Sequence, residues 1–125
     1  MQTWLLVAAG GAVGACLRFG IGELMALLFG RHFPYGTLTV NVIGSFIMGL
    51  AYALLQHGHV LEHPMKPLLM VGLLGALTTF SSFALDTLVL MQHGDWLKAA
   101  LNILLNVGLC LLMVFLAMQL VPARG

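Results

Sequence analysis

The stretch Gly75-Ala76-Leu77-Thr78-Thr79-Phe80-Ser81-Ser82-Phe83 decides how this chain is read. It sits inside a segment, Pro67 to Met91, that is otherwise apolar enough to cross a membrane. Small and hydroxylated residues and two Phe side chains interrupt the apolar run there. In hydrocarbon, irregular backbone persists only where protein covers it or where it lines a water-filled cavity. A polar interruption at that depth therefore points to an ion or substrate site.

The rest of the chain has the composition of a membrane protein. Of its 125 residues 61% are hydrophobic and only 7% are charged, against about 25% charged in an average chain. Mean hydropathy is +1.04. A formal net charge of +1, with no basic tail or charge run, argues against a nucleic-acid partner. Cys16 and Cys110 both fall in apolar segments and read as small buried residues, not as a disulfide or metal framework. Met1-Gln2-Thr3 lacks a basic leader region, and the apolar segment after it is too long for a signal peptide, so it reads as a retained span.

A helix needs about 20 mostly apolar residues to cross the hydrocarbon core. The segments that qualify run from Trp4 to Gly30, Thr37 to Gln56, Pro67 to Met91 and Trp96 to Val121. The loop Arg31-His32-Phe33-Pro34-Tyr35-Gly36 is punctuated by Pro and Gly. His57 through Lys66 is a polar loop, and Gln92-His93-Gly94-Asp95 is a tight turn that offers Asp95 as N-cap of the last helix. Both termini and the His57–Lys66 loop then share one side, with Lys66 and Arg124; Arg31 and Lys98 lie on the other. The balance gives the positive-inside rule nothing to act on. It fits a short chain with few charges, and equally a chain that inserts both ways and pairs antiparallel.

Polar stripes recur at helical spacing. Gly10, Gly14, Arg18 and Gly22 share one face of the first span; the glycines fit close helix packing. A guanidinium inside a span needs a partner or water. Asp86 is the more attractive acidic partner for Arg18, with snorkelling to the interface the alternative. Thr37, Asn41, Ser45 and Gly49 form a stripe in the second span, and Asn102, Asn106 and Cys110 form one in the fourth. Two polar stripes and a polar interruption are more than helix association requires, so a permeation path is the economical reading. The available groups are hydroxyls, carboxamides and aromatic edges, whose rims are electropositive. Such a donor-rich, weakly charged lining suits a small, strongly hydrated anion or a polar neutral solute. Acidic rings of the kind that line cation channels are missing. The spacing His57-x-His59-x3-His63 lies in a loop without a tight ligand cluster.

Three patterns occur in order: Gly10-Gly11-x-x-Gly14-Ala15-x-x-Arg18, Gly36-Thr37-Leu38-x-x-Asn41-x-x-Gly44 and Gly75-x-Leu77-Thr78-Thr79-Phe80-Ser81-Ser82-Phe83. Together they resemble the CrcB/Fluc family of bacterial fluoride channels, over essentially the whole chain. The resemblance implies an all-α membrane protein, one four-helix domain over residues 1–125, with the third helix broken near its middle. It implies an antiparallel, dual-topology homodimer in the bacterial inner (plasma) membrane, in contact with lipid. The activity implied is passive, fluoride-selective export from the cytoplasm that lowers fluoride toxicity, without enzymatic chemistry. A structural sodium ion is expected at the dimer centre, on the backbone carbonyls of Gly75 and Thr78 from both subunits. The resemblance places Phe80 and Phe83 on the fluoride route, Asn41 as a donor near its mouth, and Thr79, Ser81 and Ser82 on a polar track. Thr37 and Asn106 join the pathway, and Arg18 adds positive potential at its vestibule. Ala76 stands where many relatives have a second Gly, and Cys110 where some have Ser, a better donor. The main rival is a small four-span, proton-coupled multidrug-type exporter, which would need Glu23 or Asp86 as its titrating carboxylate.

Overall fold

A computed structural model describes residues 1–122. Arg124, one of the charges in the topology count, lies outside the described residues. The elements are α1 (Gln2–Phe29), α2 (Tyr35–Gln56), α3 (Glu62–Pro64), a π-helical segment (Met65–Leu74), α4 (Gly75–Leu77), α5 (Phe80–Gln92) and α6 (Trp96–Leu120). Among the described residues there is no strand. Four stretches are long and apolar enough to cross a membrane: Gln2–Phe29, Tyr35–Gln56, Glu62–Gln92 and Trp96–Leu120. Three of them end within a few residues of the expected bounds. The third starts earlier, at Glu62, because Pro64 and Pro67 sit in its first turns, where a missing N–H costs no helical hydrogen bond.

The turn before α6 needs a glycine. Gly94 has φ 80, a left-handed conformation that a Cβ disfavours. Asp95 takes the N-cap position of α6, but its side chain makes no capping hydrogen bond. On the opposite side His59 Nε2 lies 2.9 Å from the Pro122 carbonyl, which places the 57–61 loop beside the end of α6. Among the described residues no group of His, Cys, Asp and Glu is arranged to hold a metal ion.

Packing follows the glycines. α1 lies along the π-helical segment, and α2 packs against α1 on one side and α6 on the other; α5 packs on α6. A Cβ on Gly10 would run into the Leu68 carbonyl and come within 2.8 Å of Leu73 N. One on Gly72 would lie 2.7 Å from the Val7 carbonyl and 3.1 Å from Gly10 Cα. Backbone meets backbone at this crossing, so the stripe in α1 is a packing seam, as small residues allow between membrane helices. Gly49 does the same for α2 against α6, where a Cβ would meet Val114 O at 2.6 Å. The interior is small: Val40, Leu74 and Leu77 are buried, with Ile21, Ile47, Met48, Leu69 and Leu73 packed around them. The outer surface is apolar, with Phe19, Leu27, Leu104 and Leu111 among many exposed side chains, far more than a water-soluble monomer tolerates.

Candidate ion site at the Thr78-Thr79 step

Between α4 and α5 two residues are extended: Thr78 (φ −83, ψ 155) and Thr79 (φ −149, ψ 118). Their side chains help to hold them there. Thr78 Oγ1 donates to the Leu74 carbonyl at 2.9 Å, closing the turn before the step. Thr79 Oγ1 accepts from Ser82 N–H at 3.1 Å and so caps α5. Asn41 of α2 meets the step from the other side. Thr79 N–H donates to Asn41 Oδ1 at 2.8 Å, and Asn41 Nδ2 donates to the Thr79 carbonyl at 3.1 Å. A carboxamide has an acceptor and a donor side by side, so it can pair with both backbone groups of one extended residue. Gly44, one turn further along α2, makes room for this approach: a Cβ there would collide with Thr78 Cγ2.

The diverted donors matter for the carbonyls upstream. In an α-helix each N–H goes to the carbonyl four residues back. Thr79 N–H, which would close onto the Gly75 carbonyl, goes to Asn41; Ser82 N–H, which would close onto the Thr78 carbonyl, goes to Thr79 Oγ1. The Ala76 carbonyl, between them in sequence, accepts from Arg18 Nε at 3.0 Å. This corrects the expected Arg18–Asp86 pair. Arg18 neutralises a helix-end carbonyl, where the backbone dipole attracts a cation, and Asp86 Oδ2 accepts from Thr37 Oγ1 at 2.8 Å. Arg18 is half-buried, with its Nε on the backbone of the third span. The other in-span carboxylate, Glu23, lies 3.4 Å from Arg31.

Two cavities meet at Thr79. One, of about 290 Å³, is lined by Arg18, Phe19, Thr37, Val40, Thr79 and Ser82, among others. The second, of about 330 Å³, is lined by Asn41, Ser45, Thr79, Phe80, Phe83, Asn106 and Cys110, with apolar neighbours. Asn41 and Ser45 of the α2 stripe, Asn106 and Cys110 of the α6 stripe and both Phe residues thus come to one groove. The two Phe rings are in edge contact, centroids 5.4 Å apart. Their surroundings differ, although helical spacing puts them on one face: Phe83 is 9% exposed and Phe80 is 79% exposed. Ser81 is also exposed, its hydroxyl 3.3 Å from Thr79 Oγ1. Gly75 lies on the surface near the step.

Most of the polar groups at the site are already engaged. Asn41 Nδ2 also donates to Asn106 Oδ1 at 2.9 Å, so both of its hydrogens have acceptors. Asn106 Nδ2 donates to the carbonyl and Oδ1 of Asn102, at 2.9 and 3.0 Å. Thr37 gives its single hydroxyl proton to Asp86. No buried side-chain polar atom is without a partner among the described residues. Two contributors lie outside the stripes and candidate site residues singled out in the sequence. Thr87 lies one turn after Phe83 and bonds its carbonyl at 2.8 Å, and the Ala76 carbonyl receives Arg18. A backbone acceptor leaves no mark on residue type, whereas Thr87 could have been found from its spacing.

A family model described as CrcB-like protein, Camphor Resistance (CrcB), matches residues 5–118. The chain belongs to the CrcB family. Among its relatives, the fluoride-specific ion channel FluC of Aeromonas salmonicida (strain A449) is 78% identical over 124 residues, 99% of each chain. The proteins of that name from Shewanella sp. (strain ANA-3) and Shewanella baltica (strain OS185) are 58% and 56% identical over the same length and coverage. The match to the CrcB family reaches into all four apolar helices and includes every residue assigned above to the two cavities.

Proposed function

We propose that this chain is a fluoride-selective passive channel that carries fluoride out of the cytoplasm of a bacterial cell, across the inner membrane, and so lowers its toxicity. The observation that carries the reading is the meeting of two cavities at Thr79, lined by hydroxyls, carboxamides and Phe edges, in a chain whose relatives are named as fluoride channels. The lining holds groups that can donate to a small anion in place of water. Phe83 lines it from within the protomer and Phe80 stands at the outer lip, each with a ring whose rim is electropositive. The carboxamide N–H groups rest in internal hydrogen bonds, worth on the order of 0.6 kcal/mol each inside a membrane. An anion can exchange with such bonds at little cost and leave again, which conduction requires. Chloride, being larger, would be turned away by width. Arg18 keeps the potential positive at the first cavity.

The working unit in this reading is an antiparallel homodimer. The groove lies open on one side, with Phe80 standing out of it, and a second copy would close it. The near-equal distribution of Lys and Arg between the two ends supports insertion in both directions. Gly75 and Thr78 fit a structural sodium site at the dimer centre, because the N–H groups that would cover their carbonyls are held by Asn41 and Thr79. Carbonyl oxygens are the hard ligands such an ion takes, and when bound it would clamp the two subunits across their axis.

The test is fluoride efflux from liposomes containing only the purified protein, driven by a potassium gradient with valinomycin and read with a fluoride electrode. Fast valinomycin-dependent fluoride release with negligible chloride release is expected, with no pH gradient needed. Release that requires a pH gradient and is lost in Glu23→Gln or Asp86→Asn would replace this reading by a proton-coupled exporter.

A further inference from the structure

The hydrogen bonds at the site form a chain with one direction, and that direction is imposed from its ends. Thr79 N–H can only donate and the Thr79 carbonyl can only accept, so the Asn41 carboxamide has one possible orientation. Its remaining N–H must then find an acceptor, which is Asn106 Oδ1. Asn106 therefore turns Nδ2 away from Asn41, towards the carbonyl and Oδ1 of Asn102. Asn102 in turn presents Nδ2 to Thr87 Oγ1 at 2.9 Å, and the Thr87 hydroxyl donates to the Phe83 carbonyl. The chain thus begins at the backbone of Thr79 and ends at the backbone of Phe83, both residues of the groove. Its far half is shut away from the groove: Asn102 is 0% exposed, Thr87 5%, and neither lines it.

The geometry points to Asn102 and Thr87 as positioning residues of the ion path: from outside the groove they hold Asn106 with its Oδ1 towards Asn41, whose own orientation the Thr79 backbone fixes. This rests on the fluoride-channel reading above. Without the Asn102 side chain, Asn106 Nδ2 keeps only the Asn102 carbonyl as acceptor and the carboxamide is held less firmly. Asn106 Oδ1 is then a weaker anchor for the second N–H of Asn41. A single net hydrogen bond corresponds to about a fivefold change in an equilibrium, and that is the size of effect expected on flux.

Thr87 separates positioning from mere space filling. Thr87→Val has nearly the same volume but no hydroxyl to accept from Asn102 Nδ2 or to donate to the Phe83 carbonyl, whereas Thr87→Ser loses a methyl and keeps the hydroxyl.

The experiment is valinomycin-dependent fluoride efflux from liposomes holding the full chain, wild type, T87V or T87S, at neutral pH. T87V is expected to conduct about fivefold more slowly and T87S to keep wild-type flux. Wild-type flux in T87V, or an equal loss in T87S, in protein that elutes as folded, would overturn the inference. Should T87V fail to fold, Asn102→Leu removes the donor to Thr87 and the side-chain acceptor of Asn106 with little change in volume. It is expected to show the same fivefold loss, and wild-type flux in it would be equally fatal. Absence of fluoride efflux from the wild type itself would remove the underlying channel reading, and this inference with it.

Discussion

Asn41→Leu tests whether one side chain holds the Thr78-Thr79 step open. Leu fills a similar volume but can make none of the three hydrogen bonds of Asn41, to Thr79 N–H, the Thr79 carbonyl and Asn106 Oδ1. Two backbone groups of Thr79 would lose their partners in a largely apolar groove. An unsatisfied buried donor or acceptor costs roughly 1–3 kcal/mol, so the extended step is destabilised by about 2–6 kcal/mol. The chain has a way to recover much of this. Thr79 N–H can return to the Gly75 carbonyl four residues back, which makes the helix continuous. At about 1.4 kcal/mol per factor of ten, even the lower figure shifts the balance between intact step and continuous helix roughly thirtyfold towards the helix. Fluoride efflux from liposomes should fall by at least tenfold while the variant still elutes as folded protein. Amide exchange at Thr79, followed by mass spectrometry, should show a change in protection confined to the 75–83 region. Wild-type efflux from N41L, with unchanged exchange there, would refute the claim that Asn41 maintains the step.

Further outcomes follow from the same geometry. Gly10→Ala should abolish folded protein in detergent, because its Cβ would strike the Leu68 carbonyl and Leu73 N, which are backbone atoms that cannot move aside; Gly108→Ala, with nothing within 4 Å, should melt like the wild type. Arg18→Gln should leave the Ala76 carbonyl without its cationic donor, lowering fluoride flux several-fold and its dependence on ionic strength, as measured by efflux at low and high salt. Thr79→Ala removes the cap on Ser82 N–H and should cost about 1 kcal/mol, seen as a lower melting temperature; an unchanged melt would show that Ser82 N–H finds another acceptor.

How much of this was legible beforehand depended on the range of the interaction involved. Four apolar segments, their loops and the polar interruption at residues 75–83 were readable from residue order alone. Membrane insertion is governed by local hydropathy summed over about 20 residues, so a linear sequence contains it. Small residues at Gly10 and Gly14 could be read as a packing seam because helical periodicity places them on one face. The motifs contain Asn41, Gly44, Thr78, Thr79, Phe80 and Phe83 of the groove, but not Ser45, Asn106 or Cys110. Tertiary structure alone decided which partner each polar group took. Arg18 chose the Ala76 carbonyl over Asp86, and Asp86 took Thr37. Phe80 and Phe83, adjacent on one face, were separated into exposed and buried positions. The π-helical turns of Met65–Leu74 likewise have no counterpart in the residue pattern. Hydrogen bonding discriminates over tenths of an ångström and admits backbone atoms that carry no sequence identity. Such choices are therefore settled only when helices from distant parts of the chain are brought together.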